Sequence, residues 1–271
     1  LERASARETA ARVAAGALCS QLLAEFSIMI GCYVTAIGDV PATLSDDLGY
    51  AERFSRAEES NVRCPDPEAG EAMYGAIRQA MAAKDTLGGT FEVVALGAPP
   101  GLGSYAHWDL RLDARMMAAV GSIPAIKGIE IGPAFENARR RGTEVHDEIL
   151  AQEGHLVRRT NRAGGFEGGI TTGQPIVVRA AMKPISTTLT PLRSVDLATG
   201  EVAATRYERS DTCAVPRAAV VGEAMVAYVL ADALLNKLGG DSLAEMKPRF
   251  SALRQSNLEE LEMDNVPWRI S

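Results

Sequence analysis

Hydrophobic positions along the chain fall into blocks of helical or strand period, separated by glycine and proline. Residues 6–26 are mostly alanine and leucine, and Ser5 and Glu8 stand in the spacing of a capping box, which predicts a helix beginning at residue 6. A second apolar block, 216–237, starts with proline and stops before two glycines, as helices commonly do. A third predicted helix, 67–84, opens on aspartate, proline and glutamate and ends before a glycine pair.

Shorter blocks rich in valine, isoleucine and tyrosine predict the strands. We place strands at 27–40, 90–96, 125–131 and 174–182, a hairpin at 196–208 and a further helix at 110–120. The polar, glycine-rich stretch 139–169 has no clear period, so we expect it to lie on the surface or to line a site.

Two of the predicted helices are preceded by similar sequences. ERASARETAARVAAGAL and ERSDTCAVPRAAVVGEAMVAYVLADALL both place Glu-Arg and a serine shortly before an alanine-rich helix. Alanine and glycine leave little side chain in the way, so helices of this kind can approach a neighbour closely. The similarity fits either two copies of a duplicated unit or two ordinary core helices, and the sequence leaves both open.

Composition narrows the class of protein. With 271 residues, 46% of them hydrophobic, the chain can bury a substantial core, which excludes a disordered or fibrous protein. The net charge of −7 argues against nonspecific nucleic-acid binding. We find no signal peptide and no apolar stretch of the ~20 residues that a membrane span needs. The four cysteines show no C-x-x-C pairing, which favours reduced thiols and no metal site.

Cationic residues beside small residues recur at the predicted element boundaries, at Arg3, Lys127, Lys183 and Arg209. A single surface cation is usually just solvated, but boundaries are where rigid scaffolds present binding groups. Arg3 is the least expected of the four, because a cation at a helix N-terminus opposes the helix dipole unless an anion binds there. Asp211, just before the second alanine-rich helix, either caps that helix or takes part in the chemistry of a site.

Several common site motifs are absent from the sequence. There is no phosphate-binding loop of the G-x-x-x-x-G-K-[ST] type and no G-x-S-x-G elbow, and the GLGS stretch lacks the third glycine of a dinucleotide fingerprint. The three histidines, His107, His146 and His155, share no metal-like spacing with the cysteines.

Several segments together resemble the chorismate synthase family. The matching stretches occur in the family's order over most of the chain, and they are RASARETAARVAAGA, RCPDPEA, DTLGG, GLGS, LDARMMAAVGSIPAIKGIEIG, NRAGGFEGGITTGQPIVVRAAMKPIST, RSDTCAVPRAAVVGEAMVAYVLADALL and KLGGDSL. This combination is far more specific than any single motif.

The resemblance implies an α+β fold of β-α-β sandwich layers with an internal pseudo-repeat, formed by residues 1–271 as a single domain. It also implies a cytoplasmic homotetramer, acting on a small molecule and on neither nucleic acid nor membrane. The implied reaction is the anti-1,4-elimination of phosphate from 5-enolpyruvylshikimate 3-phosphate, which gives chorismate at the last step of the shikimate pathway. Reduced FMN is the implied cofactor, and NADPH enters only indirectly, to reduce the flavin.

The resemblance also assigns roles to individual residues. It places the aspartate thought to help with proton removal at Asp211, and Ser5 beside it in the catalytic set. Arginines and lysines in a dry pocket would stabilise the leaving phosphate. The implied flavin contacts are Arg3, Ala4, Ser5, Pro124, Ala125, Gly168, Lys183, Pro184, Ile185, Ser186, Thr187 and Arg209.

The chain departs from the family pattern in two ways. It contains neither the Gly-Glu-Ser-His-Gly segment nor the Arg-Pro-Gly-His-like segment that carry the family's two acidic histidines, and GPAF at 132–135 replaces Gly-Asp-Gly-Phe. We therefore expect an N-terminal segment to be missing and the chain by itself to have little or no activity. The alternative is a flavin- or phosphate-binding assembly module that has lost catalysis.

Overall fold

A five-stranded antiparallel sheet lies at the centre of the computed structural model, which describes residues 5–45, 47–207, 210–254 and 257–260. Its strands, in spatial order, are β2 (Val40–Pro41), β1 (Met29–Ile37), β3 (Gly89–Leu96), β9 (Ile176–Met182) and β4 (Ile126–Ile131). Three further antiparallel pairs are β5 (Ile149–Gln152) with β6 (His155–Arg158), β7 (Phe166–Glu167) with β8 (Ile170–Thr171), and β10 (Arg193–Val195) with β11 (Val202–Ala204).

The helices account for most of the remaining regular structure. They are α1 (Thr9–Ala24), α2 (Tyr50–Glu59), α3 (Pro67–Ala82), α4 (Leu112–Gly121), α5 (Ala134–Asn137), α6 (Gly142–Val145), α7 (Val215–Leu238) and α8 (Leu243–Ser251). The predicted helices correspond to α1, α3, α4 and α7, and the α+β class is confirmed. The predicted strand 27–40 is divided at Gly38, whose φ of +59° forms the turn between β1 and β2.

Helices α1, α4 and α7 form one layer against the sheet and bury the main core. By length and composition α7 could cross a membrane, so the prediction that no such segment exists was wrong on those criteria. However, 67% of its most apolar window is buried by the rest of the chain, as in the core helix of a globular domain.

The two alanine-rich helices, α1 and α7, pack directly on each other. A Cβ atom added to Gly16 would lie 2.4 Å from the Cβ of Ala224 and 2.5 Å from its Cα, so the backbones touch at this point. Beyond the C-terminal end of α1, Phe26 packs on Phe250 of α8, and Arg249 of α8 donates to the last carbonyl of α7, at Leu238. The two helices therefore begin at the same end of the layer.

Candidate ligand-binding site

Three chain segments meet where β9 ends and β3 begins, and we call them the loop cluster: 85–88, 183–187 and 210–213. The Thr86 hydroxyl donates to the Ile185 carbonyl at 2.7 Å. The Ser210 hydroxyl donates to the Thr187 carbonyl at 3.0 Å. These bonds join the stretch that precedes β3, the stretch that follows β9 and the approach to α7 into one surface.

The register of the sheet explains why these segments meet. Gly89, the first residue of β3, pairs with Met182, the last of β9, so the flanking residues leave the sheet side by side. At Gly88 a Cβ atom would lie 2.3 Å from the Met182 carbonyl oxygen and 2.9 Å from the Pro184 ring. The close approach of the two segments therefore requires glycine at this position.

The turn that follows α4 joins the same surface. The Lys183 backbone N–H donates to the Ala125 carbonyl at 3.0 Å, which places Pro124 and Ala125 beside the start of the 183–187 segment. Ala125 has a φ of +69°, a left-handed conformation that non-glycine residues adopt infrequently and that tends to occur at functional sites. The structure thus brings together the predicted contacts Pro124, Ala125 and 183–187.

Ser5 lies at the start of α1, but the predicted capping box does not form. The Ser5 hydroxyl accepts from the Arg7 N–H at 3.3 Å, and the chain makes a 3-10 turn over Ala6–Glu8 before α1 begins at Thr9. The Glu8 carboxylate pairs with Arg12 at 2.8 Å instead of reaching back to Ser5. An i,i+4 partner has displaced the capping contact.

Arg12 also connects α1 to the turn after α4. Its guanidinium donates to the Ser122 hydroxyl at 2.6 Å, two residues before Pro124. The first turn of α1 is therefore held near the Pro124–Ala125 turn, and through that turn near the loop cluster; Ser5 lies one 3-10 turn before α1.

Asp211 lies in the loop cluster with its carboxylate half exposed. It forms an ion pair with Arg217 on the first turn of α7. The N-cap of α7 is Ala214, and no side chain of the described residues caps it. Of the two roles left open by the sequence, helix capping is thus wrong for Asp211, which instead lines a small cavity with Thr86 and Thr187.

Lys183 supplies a cation to this surface. Within the described residues, its ammonium contacts the Pro184 carbonyl at 3.5 Å and no carboxylate within 4.0 Å. The exposed Ser186 hydroxyl and the Pro184 ring lie on the same segment. An ammonium, hydroxyls and a proline ring suit a ligand that has both an anionic group and a flat apolar part.

The cluster itself encloses little volume. A cavity of about 30 Å³, roughly one water molecule, lies between Thr86, Thr187 and Asp211. A ring-sized ligand would therefore lie over the cluster, not within a closed pocket formed by these residues.

The structure does not place Gly168 with the other predicted contacts. Gly168 occupies the turn between β7 and β8, and its neighbour Gly169 accepts from the N–H of Leu112 at the start of α4. Ala125 follows the other end of α4, and a ten-residue helix is about 15 Å long. Arg3, Ala4 and Arg209 lie outside the described residues.

Asp147 holds the glycine-rich segment that leads to Gly168. Its buried carboxylate accepts from the Thr160 hydroxyl and from the backbone N–H groups of Arg162, at 2.8 Å, and Ala163, at 2.9 Å. Burial alone would raise the pKa of Asp147, but these hydrogen bonds outweigh it, and the pKa is lowered.

We predict that Asp147→Asn lowers the free energy of unfolding by about 2 kcal/mol at neutral pH, because an amide N–H₂ must face a backbone N–H donor. A carboxyl group whose pKa is lower in the folded state than in the unfolded state stabilises the fold at pH values above its unfolded-state pKa. This stabilisation is lost as the pH falls through the folded-state pKa. The difference in free energy of unfolding between parent and variant should therefore shrink as the solution becomes acidic. Denaturant unfolding at several pH values measures this difference, and the substitution Asp241→Asn at an exposed aspartate is the control. A difference that grew in acid would contradict the role of the Asp147 carboxylate as a hydrogen-bond acceptor.

Sequence reasoning missed two members of the site. Thr86, a buried polar residue, ties the cluster together, and Arg217 pairs with Asp211. The DTLGG stretch that contains Thr86 was among the matching motifs, but only the pairing of β3 with β9 shows what it contacts.

Comparisons with known proteins agree on one family. The family model described as chorismate synthase matches residues 1–235. The chain is 57% identical over 250 residues to the chorismate synthase of Rubrobacter xylanophilus, covering 92% of this chain and 64% of the relative. It is 55% identical over 262 residues to that of Chlorobaculum tepidum, covering 94% and 66%.

A solved structure gives the same result. A crystal structure of chorismate synthase aligns with a TM-score of 0.79 at 48% identity, covering 91% of this chain and 68% of the solved one. The chain spans about two thirds of the length of the curated relatives it matches.

Proposed function

The chain belongs to the chorismate synthase family, and on that premise we propose that the protein eliminates phosphate from 5-enolpyruvylshikimate 3-phosphate to give chorismate. The observation that carries this proposal is the loop cluster, where hydrogen bonds join the segment that carries Lys183 to the segment that carries Asp211. In the elimination, a C–O bond breaks, phosphate leaves with its electron pair, and a ring carbon gives up a proton. The protein would thus act as a carbon–oxygen lyase on a phosphate substrate.

The side chains of the cluster suit the two charge changes in this reaction. An electropositive surface favours the negative charge that develops on the departing phosphate. Lys183, which has no carboxylate partner among the described residues, contributes to that surface from the flavin subsite. The Asp211 carboxylate would help to take up the proton, oriented by its ion pair with Arg217. Ser5, at the start of α1, would donate its hydroxyl to an anionic oxygen.

We propose reduced FMN as the cofactor at this surface. When bound, the reduced flavin supplies electron density to the substrate and is not consumed, so NADPH would serve only to reduce it beforehand. Lys183 and the Ser186 hydroxyl suit its phosphate, while Pro124 and Pro184 offer apolar contact to its ring. The left-handed backbone at Ala125 and the close packing at Gly88 fix the positions of these groups.

We also propose a cytoplasmic homotetramer. The four cysteines are all free thiols, which fits a reducing compartment. The competing function is a flavin- or phosphate-binding module without catalysis. Anaerobic assays of the full product of the gene distinguish the two, because only the enzyme forms chorismate and releases phosphate at equal rates.

The flavin site has its own test. We predict that Lys183→Ala weakens the affinity for reduced FMN about tenfold or more, because a desolvated phosphate loses its cation. Anaerobic fluorescence titration measures the affinity. Lys237→Ala, which removes an exposed lysine at the far end of α7, is the matched control. Equal affinities for the parent and Lys183→Ala would remove Lys183 from the site.

A further inference from the structure

The segment 183–187 is hydrogen-bonded to the rest of the described chain at three points. Its two ends are held by hydrogen bonds to Ala125 and to Ser210, both 3.0 Å long. Its middle is held by one bond, which the Thr86 hydroxyl donates to the Ile185 carbonyl at 2.7 Å. The position of the middle of this segment therefore depends on Thr86.

Thr86 is itself held firmly in place. It is buried, and the N–H of the next residue, Leu87, donates to the Thr212 carbonyl at 2.9 Å. Thr212 follows Asp211 directly in the chain. The stretch that contains Thr86 is thus bonded through its backbone to the segment of Asp211, and through one hydroxyl to the segment of Lys183.

The backbone of the Lys183 segment offers donors that the described chain does not use. The N–H groups of Ile185, Ser186 and Thr187 have no hydrogen-bond partner among the described residues. Backbone N–H groups in a partly buried segment normally pair with protein, water or a ligand. Next to the Lys183 ammonium, such donors suit an anionic oxygen.

The peptide bond between Ile185 and Ser186 links the Thr86 contact to one of these donors. No cis peptide bond occurs in the described chain, and in a trans peptide the C=O and the next N–H lie in one plane and point in opposite directions. Because the Thr86 hydroxyl holds the Ile185 carbonyl, the Ser186 N–H points away from Thr86. Without this hydrogen bond the peptide plane is free to rotate, and the direction of the N–H is no longer fixed.

We propose that Thr86 is a positioning residue for the flavin subsite, an inference that rests on the proposed function. Its hydroxyl orients the Ile185–Ser186 peptide so that the Ser186 N–H donates to the FMN phosphate beside Lys183. Thr86 itself does not contact the flavin. Its effect on binding is transmitted through the backbone of the segment.

Variants of the full gene product test this role by anaerobic fluorescence titration with reduced FMN. Thr86→Val keeps the shape of the side chain without its hydroxyl and should weaken the affinity about tenfold. Thr86→Ser restores the hydroxyl and should bind within about twofold of the parent. Thr90→Val is the matched control, because it removes a hydroxyl of the same strand region that shares a 2.7 Å hydrogen bond with Thr35. It should leave the affinity unchanged, and circular dichroism checks that each variant is folded.

A double-mutant cycle shows whether Thr86 acts through its segment. The losses from Thr86→Val and Lys183→Ala should be non-additive by about threefold or more, because both residues act on the same phosphate. The losses from Thr86→Val and Asp211→Asn should simply add.

Four results would overturn the inference: unchanged affinity in Thr86→Val, no rescue in Thr86→Ser, an equal loss in Thr90→Val, or additive losses with Lys183→Ala. Chorismate formation by the parent is measured in parallel. A parent that binds reduced FMN without forming chorismate contradicts the proposed function alone, since the affinities of the variants still decide the role of Thr86. A parent that does not bind reduced FMN overturns both.

Discussion

Replacing Asp211 by asparagine is expected to slow phosphate release by about a hundredfold or more in the full gene product, because an amide cannot take up the proton lost from the substrate. Asparagine keeps the shape of the side chain. In the ion pair with Arg217, both side chains are exposed to solvent. Loss of an exposed ion pair costs at most about 1 kcal/mol of folding stability. The affinity for reduced FMN should therefore change little.

The measurement compares turnover with flavin binding under anaerobic conditions. Phosphate release at saturating reduced FMN gives the rate, and fluorescence titration gives the affinity. Asp196→Asn, in the β10–β11 connection, is the matched control. Among the described residues, the Asp196 side chain accepts hydrogen bonds through one oxygen, and the asparagine carbonyl oxygen can accept the same bonds. Unaltered turnover in Asp211→Asn would show that another group handles the proton, and a parallel loss of flavin affinity would indicate a binding role.

The main helices and strands could be predicted because each buries one apolar face against the same core. The apolar block of α7 and the glycines after it specify both its length and its end. Helix α2 was missed because only three of its ten residues, Tyr50, Phe54 and Ala57, pack apolar side chains against the sheet. With so few apolar positions, the helical pattern of this segment is hard to distinguish from a polar loop, which has no hydrophobic period.

The candidate site was predictable only in part. Motif resemblance named Lys183 and Asp211, but nothing local in the sequence shows that they share a surface. That follows from the register of β3 with β9, which places Thr86 against Ile185. The ion pair between Glu92 of β3 and Arg179 of β9 depends on the same register, and neither feature can be read from periodicity alone.

The similarity between the sequences that begin α1 and α7 has a structural counterpart. The two helices lie side by side and begin at the same end of the layer, and Gly16 and Ala224 allow their backbones to touch. This arrangement is what two copies of one unit would give. It also makes the position of Gly16 critical for the helical layer that presents Ser5 and Asp211.

We expect Gly16→Ala to destabilise the protein by about 2 kcal/mol, although Gly→Ala in a free helix stabilises it by roughly 1 kcal/mol. The added Cβ would lie 2.5 Å from the Ala224 Cα and 2.8 Å from its carbonyl oxygen. These are backbone atoms of a buried helix, so they cannot rotate away as a flexible side chain could. The helices must separate, and α7 would lose contact along its length.

Gly75→Ala in α3 is a control substitution that should change the free energy of unfolding in the opposite direction. A Cβ at Gly75 meets no atom of the part of the chain that the structure describes within 4 Å, so the substitution should raise the free energy of unfolding by about 0.5–1 kcal/mol. Denaturant unfolding of both variants beside the parent measures the difference. If Gly16→Ala were as stable as Gly75→Ala, the α1–α7 contact would be looser than described. The first turn of α1 would then not be held rigidly beside the Pro124–Ala125 turn, to which the Arg12–Ser122 hydrogen bond joins it.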